Sequence, residues 1–259
     1  MHILLTNDDG YYASGIQTLY RTLRSHTKHD ISIVAPEGQR SATGHSITLF
    51  HPLFLTEHDL DGNGKGFAVS GTPSDCVKIA IQGGLIPKPD LLISGINQGS
   101  NLGTDVFYSG TVSAAMEGVI LGVPSMAVSL ASYEFVDFEP SAVYLAEHLD
   151  YIVQRHQDGL MNINFPGKPQ SEWAGVRVTR LGKTIYDNVF ERRIDPHGRT
   201  YYWQCGNLLQ DLEADTDLRA IQENFISMTP MHSDLTDFNC FQTWQTFFNR
   251  SYALLSNDV

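Results

Sequence analysis

The sequence predicts an α/β fold, a mostly parallel sheet with helices on both faces, plus a C-terminal extension with a projecting β-hairpin and a terminal helix. Three observations predict it. Short apolar runs bounded by polar residues and glycine alternate with amphipathic stretches in the first 181 residues, the rhythm of strand and crossover helix. Several of those runs end in polar or glycine-bearing loops, which parallel sheets collect at the edge where ligands bind. After Leu181 the rhythm gives way to an aromatic, charged segment around the turn signal Asp195-Pro196-His197-Gly198. The chain accordingly divides into a core over residues 1–181 and an extension over 182–259 that is not an independent domain and serves oligomerisation.

Each element has its own signal. Ile3 to Thr6 is a short apolar strand that stops at Asn7-Asp8-Asp9-Gly10. From Gly15 to Ser25, Ile16, Leu19, Tyr20 and Leu23 recur at helical spacing and form one buried stripe. Asp30 to Ala35 reads as the second strand, stopped by Pro36, while Ser46 to Phe50 and Phe67 to Ser70 read as strands off the main rhythm. Thr72-Pro73-Ser74-Asp75 opens a helix: threonine caps, proline suits the first helical position and aspartate favours the positive end. Asp90 to Ser94 is a third parallel strand, ending at Gly95-Ile96-Asn97-Gln98-Gly99, and Ser109-Gly110-Thr111 leads into the apolar helix Val112 to Leu121. Ser125 to Ser129, Met161 to Phe165 and Val176 to Thr179 read as strands, with a longer amphipathic helix from Pro140 to His156. Thr184 to Trp203 forms a long hairpin exposing Tyr186, Phe190, Tyr201, Tyr202 and Trp203. Phe225 to Met228 is a late strand, and Phe238 to Arg250 an aromatic-rich final helix.

Composition narrows the function. With 42% hydrophobic and 18% charged residues the chain is ordinary globular protein, and it has no apolar run long enough to span a membrane. The N-terminus enters a strand directly, without the basic and apolar regions of a signal peptide. Cys76, Cys205 and Cys240 are too few and too widely spaced for a disulfide framework or a metal clip, which favours the cytoplasm. A net charge of −12 disfavours a nucleic-acid polymer, whose binding rests on basic side chains. A small phosphorylated ligand is compatible with it, because a bound cation reverses the local field.

Asp8 and Asp9 place two like charges at a strand end, so a positive partner is expected between or beside them. Ser41, in the loop after the second strand, and Asn97, after the third, bring further oxygen donors to the same edge. Carboxylate, hydroxyl and amide oxygens suit Mg²⁺ or Mn²⁺, whereas zinc recruits His or Cys. Asp8 and Asp9 would hold the cation, and one of them would orient or deprotonate the nucleophile. Ser109-Gly110-Thr111 suits an anion at a helix entrance, and equally suits a simple helix cap. His45 and His232 read as surface or structural histidines in a chain with ten of them. No Gly-x-Gly-x-x-Gly follows the first strand, and neither a Walker lysine nor a nucleophile-elbow serine is evident.

These blocks resemble the survival protein E (SurE) family of nucleotidases. The likeness rests on Asn7-Asp8-Asp9-Gly10, Arg40-Ser41 with Ser46-Ile47-Thr48, Gly71 to Cys76, Ser94 to Asn97, Asn101-Leu102-Gly103, Tyr108 to Val112 and Ala114 to Gly118. It continues through Val178-Thr179-Arg180, Asp195-Pro196, Tyr202-Trp203, Thr229-Pro230 and Asp234-Leu235-Thr236. The resemblance implies a Rossmann-like core whose C-terminal part exchanges elements between subunits of a homodimer or homotetramer. It implies a phosphomonoesterase that hydrolyses nucleoside monophosphates through a metal-activated water: a 5′-nucleotidase, with 3′-nucleotidase and exopolyphosphatase activities in view. It implies one Mg²⁺ or Mn²⁺ per subunit on Asp8, Asp9, Ser41 and Asn97, with Asn97, Ser109, Gly110 and Thr111 toward the phosphate. Two departures are Tyr11-Tyr12, where smaller residues are usual, and Ala214-Asp215-Thr216-Asp217, where a Gly-Thr-Asp pattern is expected. The competing reading is a non-catalytic divalent-cation or nucleotide-binding regulator. A signalling receiver lacks its later strand-end lysine here, and a haloacid-dehalogenase site wants one residue between its two aspartates.

Overall fold

The computed structural model describes residues 1–60, 64–156, 158–187, 190–205, 207–210 and 213–255, with side chains at 185–186, 207–210 and 249–255 outside that description. The first half alternates as expected: β1 (His2–Thr6), α1 (Ser14–His26), β2 (Asp30–Pro36), β3 (Leu55–Asp59), β4 (Lys65–Val69), α2 (Pro73–Ile81), β5 (Leu91–Gln98) and α3 (Gly110–Ile120). It continues through β6 (Ser125–Ala131), α4 (Glu139–Arg155), β7 (Leu160–Pro166) and β8 (Gly175–Val178). Among the described residues the main sheet has nine strands, in the order β3-β4-β2-β1-β5-β6-β7-β13-β8, where β13 is Phe225–Met231. The pairs from β4 through β7 are all parallel, and antiparallel pairs occur at β3–β4 and β7–β13. The C-terminal segment is therefore partly built into the sheet.

Alternation along the buried strands sorts the core into two layers. Ile3 and Leu5 of β1 face α1 and α4, packing with Ile16, Leu19, Leu23, Leu145 and Leu149. Leu4 faces the opposite way, toward Val77 and Ala80 of α2 and Val112 and Ala115 of α3. Each such fully buried aliphatic side chain contributes about 1.5–3 kcal/mol relative to exposure. The chain runs from β1 outward to β2 and β4, then returns to place β5 on the other side of β1. β1 and β5 thus flank the switch point, where an open α/β sheet opens its crevice.

α2 begins with the capping that its sequence foretells: Asp75 N–H donates to Thr72 Oγ1 at 3.1 Å, and Thr72 N–H donates to Asp75 Oδ2 at 2.9 Å. Two strand expectations need correction. Ser46 to Phe50 is not a strand: Thr48 N–H goes to the Asp75 carboxylate at 2.9 Å instead of a ladder, and Leu49 and Phe50 are exposed. The actual edge strand is β3, whose polar sequence Leu-Thr-Glu-His-Asp hides it from a hydrophobic pattern and suits an unpaired edge. The third parallel strand also continues past Ser94 to Gln98, through a bulge between Ser94 and Asn97.

Beyond the core, β9 (Thr184–Asp187), β10 (Phe190–Ile194), β11 (Thr200–Gln204) and β12 (Asn207–Gln210) form the arms of one long antiparallel hairpin, β10 with β11 and β9 with β12. Its turn is where the sequence places it, with Gly198 N–H donating to the Asp195 carbonyl at 3.0 Å. Among the described residues these strands pair with one another and not with the main sheet. Phe190, Tyr202 and Trp203 are exposed; the side chain of Tyr186 lies outside the described residues. A short α5 (Asp217–Gln222) precedes β13, and α6 (Phe238–Leu255) is the last described element, with Phe238, Phe241, Trp244, Phe247 and Phe248 exposed. Among the described residues no helix is long and apolar enough to cross a membrane.

Candidate active site

The acidic turn after β1 is held by its own asparagine. Asn7 is fully buried; its Nδ2 donates to the Gly10 carbonyl at 2.9 Å and its Oδ1 accepts from Gly10 N–H at 3.1 Å. Gly10 has φ +107°, and a Cβ there would lie 3.1 Å from the Gly38 backbone, so the turn accepts only glycine without strain. The two carboxylates between Asn7 and Gly10 are thereby fixed at the strand end, beside the loop that follows β2. Arg40 N–H from that loop donates to the Asp8 carbonyl at 2.7 Å.

Asp8 is buried against the first turn of α3. Its Oδ1 accepts the Thr111 hydroxyl, and a Cβ on Gly110 would come within 2.8 Å of the Asp8 Cβ. Burial pushes the Asp8 carboxyl up to about 6; the Asp9 charge adds to this, while bonds from the Thr111 hydroxyl and backbone work against it. Asp9 is half-buried and also raised by burial, opposed by Gln98 N–H, which donates to its Oδ2 at 3.2 Å. The bulge in β5 brings Asn97 to the same edge. Its Nδ2 donates to the Gly99 carbonyl at 2.8 Å, an orientation that leaves Oδ1 as the available donor oxygen.

The structure thus brings Asp8, Asp9, Gly110, Thr111 and the Asn97–Gln98 strand end to one place. Ser41 is joined less directly: it is exposed, its Oγ accepts from Gln39 Nε2 at 2.9 Å, and the neighbouring Arg40 backbone makes the link to Asp8. Ser109 caps α3, its Oγ accepting Val112 N–H at 3.1 Å. His45 bonds Glu117 of α3, Nε2 to Oε2 at 2.8 Å, and Lys78 Nζ donates to Glu117 Oε1 at 3.0 Å. His45 with its hydrogen bond, then Lys78, holds the Glu117 carboxyl below its ordinary value. His45 and His232 both border a cavity of about 750 Å³ between α3 and the end of β13.

Sequence reasoning did not single out Glu117, Lys78 or the turn-locking role of Asn7. A lone acid inside the apolar Val112–Leu121 run was the available signal for Glu117, and the Asn-x-x-Gly spacing for Asn7. The donor set fits a hard divalent cation. Among the described residues no group of three or more His, Cys, Asp or Glu is placed to hold a metal, so the two carboxylates would be completed by neutral oxygens and water. Mg²⁺ accepts that arrangement, since it keeps several waters and uses one or two carboxylates.

Comparison with known proteins agrees with this architecture. The family model described as "Survival protein SurE" matches residues 3–188. The protein named 5′-nucleotidase SurE from Desulfitobacterium hafniense (strain Y51) is 64% identical over 238 residues, covering 92% of this chain and 93% of the relative. Its namesake from Pelotomaculum thermopropionicum is 49% identical over 247 residues, covering 93% of each. The crystal structure of the SurE protein from Aquifex aeolicus superposes with a TM-score of 0.80 at 36% identity, covering 95% of this chain and 99% of that one. On these grounds the chain belongs to the survival protein SurE family.

Proposed function

We propose that this chain is a metal-dependent 5′-nucleotidase that hydrolyses nucleoside monophosphates to nucleoside and orthophosphate, water being the nucleophile. The observation that carries it is the contact of α3 with the acidic turn: Gly110 and Thr111, at the positive end of a helix, press directly on Asp8. This contact supports a site with anion-binding and cation-binding groups side by side, as a phosphomonoester needs. The names of the relatives support the substrate class.

Asp8, Asp9, Asn97 and Ser41 would hold a single Mg²⁺ or Mn²⁺. The cation supplies charge neutralisation on the phosphoryl oxygens and acidification of water. Thr111 orients Asp8 through its hydroxyl, which supports a role for the buried Asp8 as an oriented holder of the cation. The partial exposure of Asp9 and its bond from Gln98 N–H support it as the carboxylate that would orient or deprotonate water. The N-terminal end of α3 would stabilise charge on the equatorial oxygens, with Gly110 letting the Asp8 carboxylate pack close against that entrance. Residues 1–181 carry this chemistry, and residues 182–259 build a homodimer or homotetramer through the exposed aromatics of the hairpin and α6. The small number and wide spacing of Cys76, Cys205 and Cys240 support a cytoplasmic setting.

A phosphate-release panel tests the reading, with 5′- and 3′-nucleotides and short polyphosphates offered against Mg²⁺, Mn²⁺ and chelator. The expected result is turnover of 5′-monophosphates that EDTA abolishes and added Mg²⁺ or Mn²⁺ restores. Full activity after exhaustive chelation counts against the metal, and nucleotide binding without turnover would favour the regulator reading.

A further inference from the structure

Eleven residues separate Asn97 from Ser109, and something must hold that loop so that its two ends serve one site. Its middle is anchored by side chains from the strands beneath it. Asn101 N–H donates to Asn164 Oδ1 at 2.9 Å, and the Asn101 carbonyl accepts from Asn162 Nδ2 at 2.9 Å. Two residues further on, Gly103 N–H donates to Asp217 Oδ2 at 2.7 Å. Asp217 is fully buried, and its other oxygen accepts from Gly182 N–H and Leu218 N–H, each at 2.8 Å. Gly182 lies two residues before β9, the first arm of the hairpin. The same joint is crossed by Thr104, whose hydroxyl donates to the Thr184 carbonyl at 3.0 Å.

We propose that Asp217 is a positioning residue for the hydrolytic reaction: one carboxylate fixes the loop between Asn97 and the entrance of α3, and ties it to the root of the hairpin. Asp217 stands 114 residues from Gly103 and touches none of the candidate ligands, so it acts through the loop. Its chemistry suits the task. A carboxylate is acceptor-only and can satisfy three N–H groups at once, whereas the isosteric asparagine turns one acceptor into a donor facing an N–H. Displacing a positioning loop by about 1 Å can cost on the order of 10²-fold in kcat/KM. The arrangement also makes the register of the site depend on how the hairpin root is seated.

The proposal rests on the nucleotidase reading, and the test separates the two. Wild type, Asp217→Asn, Thr104→Val and Leu149→Ala are compared in the full chain. Leu149→Ala is the control for general destabilisation, a core truncation under α4 far from the loop. The readouts are kcat and KM for a nucleoside monophosphate, inhibition by inorganic phosphate, and hydrogen exchange of residues 99–109 and 181–187. Asp217→Asn is expected to raise KM and the phosphate inhibition constant at least tenfold, to change kcat much less, and to lose protection in both segments together. Thr104→Val should show the same pattern, three- to tenfold in size, and decides the matter if Asp217→Asn fails to fold. Leu149→Ala should lower stability with KM unchanged. A KM and phosphate constant in Asp217→Asn that match the control overturn the positioning role. Absence of wild-type turnover rejects the nucleotidase reading instead, and Asp217 is then judged on exchange, where unchanged protection of residues 99–109 rejects it.

Discussion

The Thr111 hydroxyl donates to Asp8 Oδ1, joining the entrance of α3 to the end of β1 across 103 residues of sequence. The contact explains two features at once. It pins the buried carboxylate in one orientation, and it brings the positive end of a helix to the place where negative charge collects.

Loss of either carboxylate should silence the enzyme. On the proposed site, Asp8→Asn and Asp9→Asn would each remove one of the two negative ligands, and neutral oxygens alone hold a hard cation poorly. We expect phosphate release to fall at least 10³-fold in both variants with the circular dichroism spectrum unchanged. Wild-type turnover in either variant would sink the metal assignment.

The same substitution should stabilise the protein freed of metal. The Asp8 carboxyl rises from an ordinary 3.8 to about 6 in the fold, chiefly through burial. The folded chain therefore keeps a proton that the unfolded chain releases between those values. Its contribution to stability is complete below about pH 3.8 and is lost as pH rises through about 6. In chelated protein at pH 8, Asp8→Asn should be more stable than wild type by on the order of 1–3 kcal/mol, a gain that shrinks toward pH 4. Paired urea titrations at the two pH values check this. A variant less stable than wild type at pH 8 would show that the Thr111 bonds outweigh desolvation.

Gly110 should be intolerant where nearby Gly38 is tolerant. A Cβ on Gly110 meets Asp8 Cβ at 2.8 Å and Oδ2 at 2.9 Å, so Gly110→Ala must push the carboxylate or the helix aside. A Cβ on Gly38 meets nothing within 4 Å. We expect Gly110→Ala to cut kcat/KM by about 10²-fold, since displacement by about 1 Å costs that much, and Gly38→Ala to stay within about threefold of wild type. Equal effects of the two substitutions would remove the close approach from the argument.

Much of this was legible in the sequence because it depends on local pattern. Ile3, Leu4 and Leu5 announce a strand buried on both faces, Thr72 and Asp75 announce a capped helix, and Asp195 to Gly198 announces the hairpin turn. Asp8, Asp9 and Asn97 were readable as strand-end residues for the same reason. What escaped depends on partners distant in sequence or on polarity where pattern expects apolar residues. β3 carries a charged edge sequence, and the bulge that re-aims Asn97 is set by pairing with β6. The bonds from Asp217 to Gly103 and from His45 to Glu117 join segments that no local window contains.

The hairpin supplies the last prediction, which concerns assembly. Among the described residues its outer arms pair with each other alone, and a two-stranded ribbon is marginal in water unless it packs on something. Phe190, Tyr202 and Trp203 are 64%, 59% and 58% exposed, beside Arg192, Arg193 and Arg199, a combination enriched at protein interfaces. Arg193 and Arg199 are already engaged by Glu191 and Asp195, which stiffens the arms and leaves the aromatic faces outward. α6 adds Phe241 and Trp244, also more than half exposed. Surfaces of this kind find cover, and a second copy of the chain is the cover always present. We expect light scattering at micromolar concentration to report a homo-oligomer for the intact chain, and deletion of Tyr186 to Tyr201 to shift it to a smaller species. A monomer in the intact chain would refute the assignment and leave the aromatic arms to a different partner.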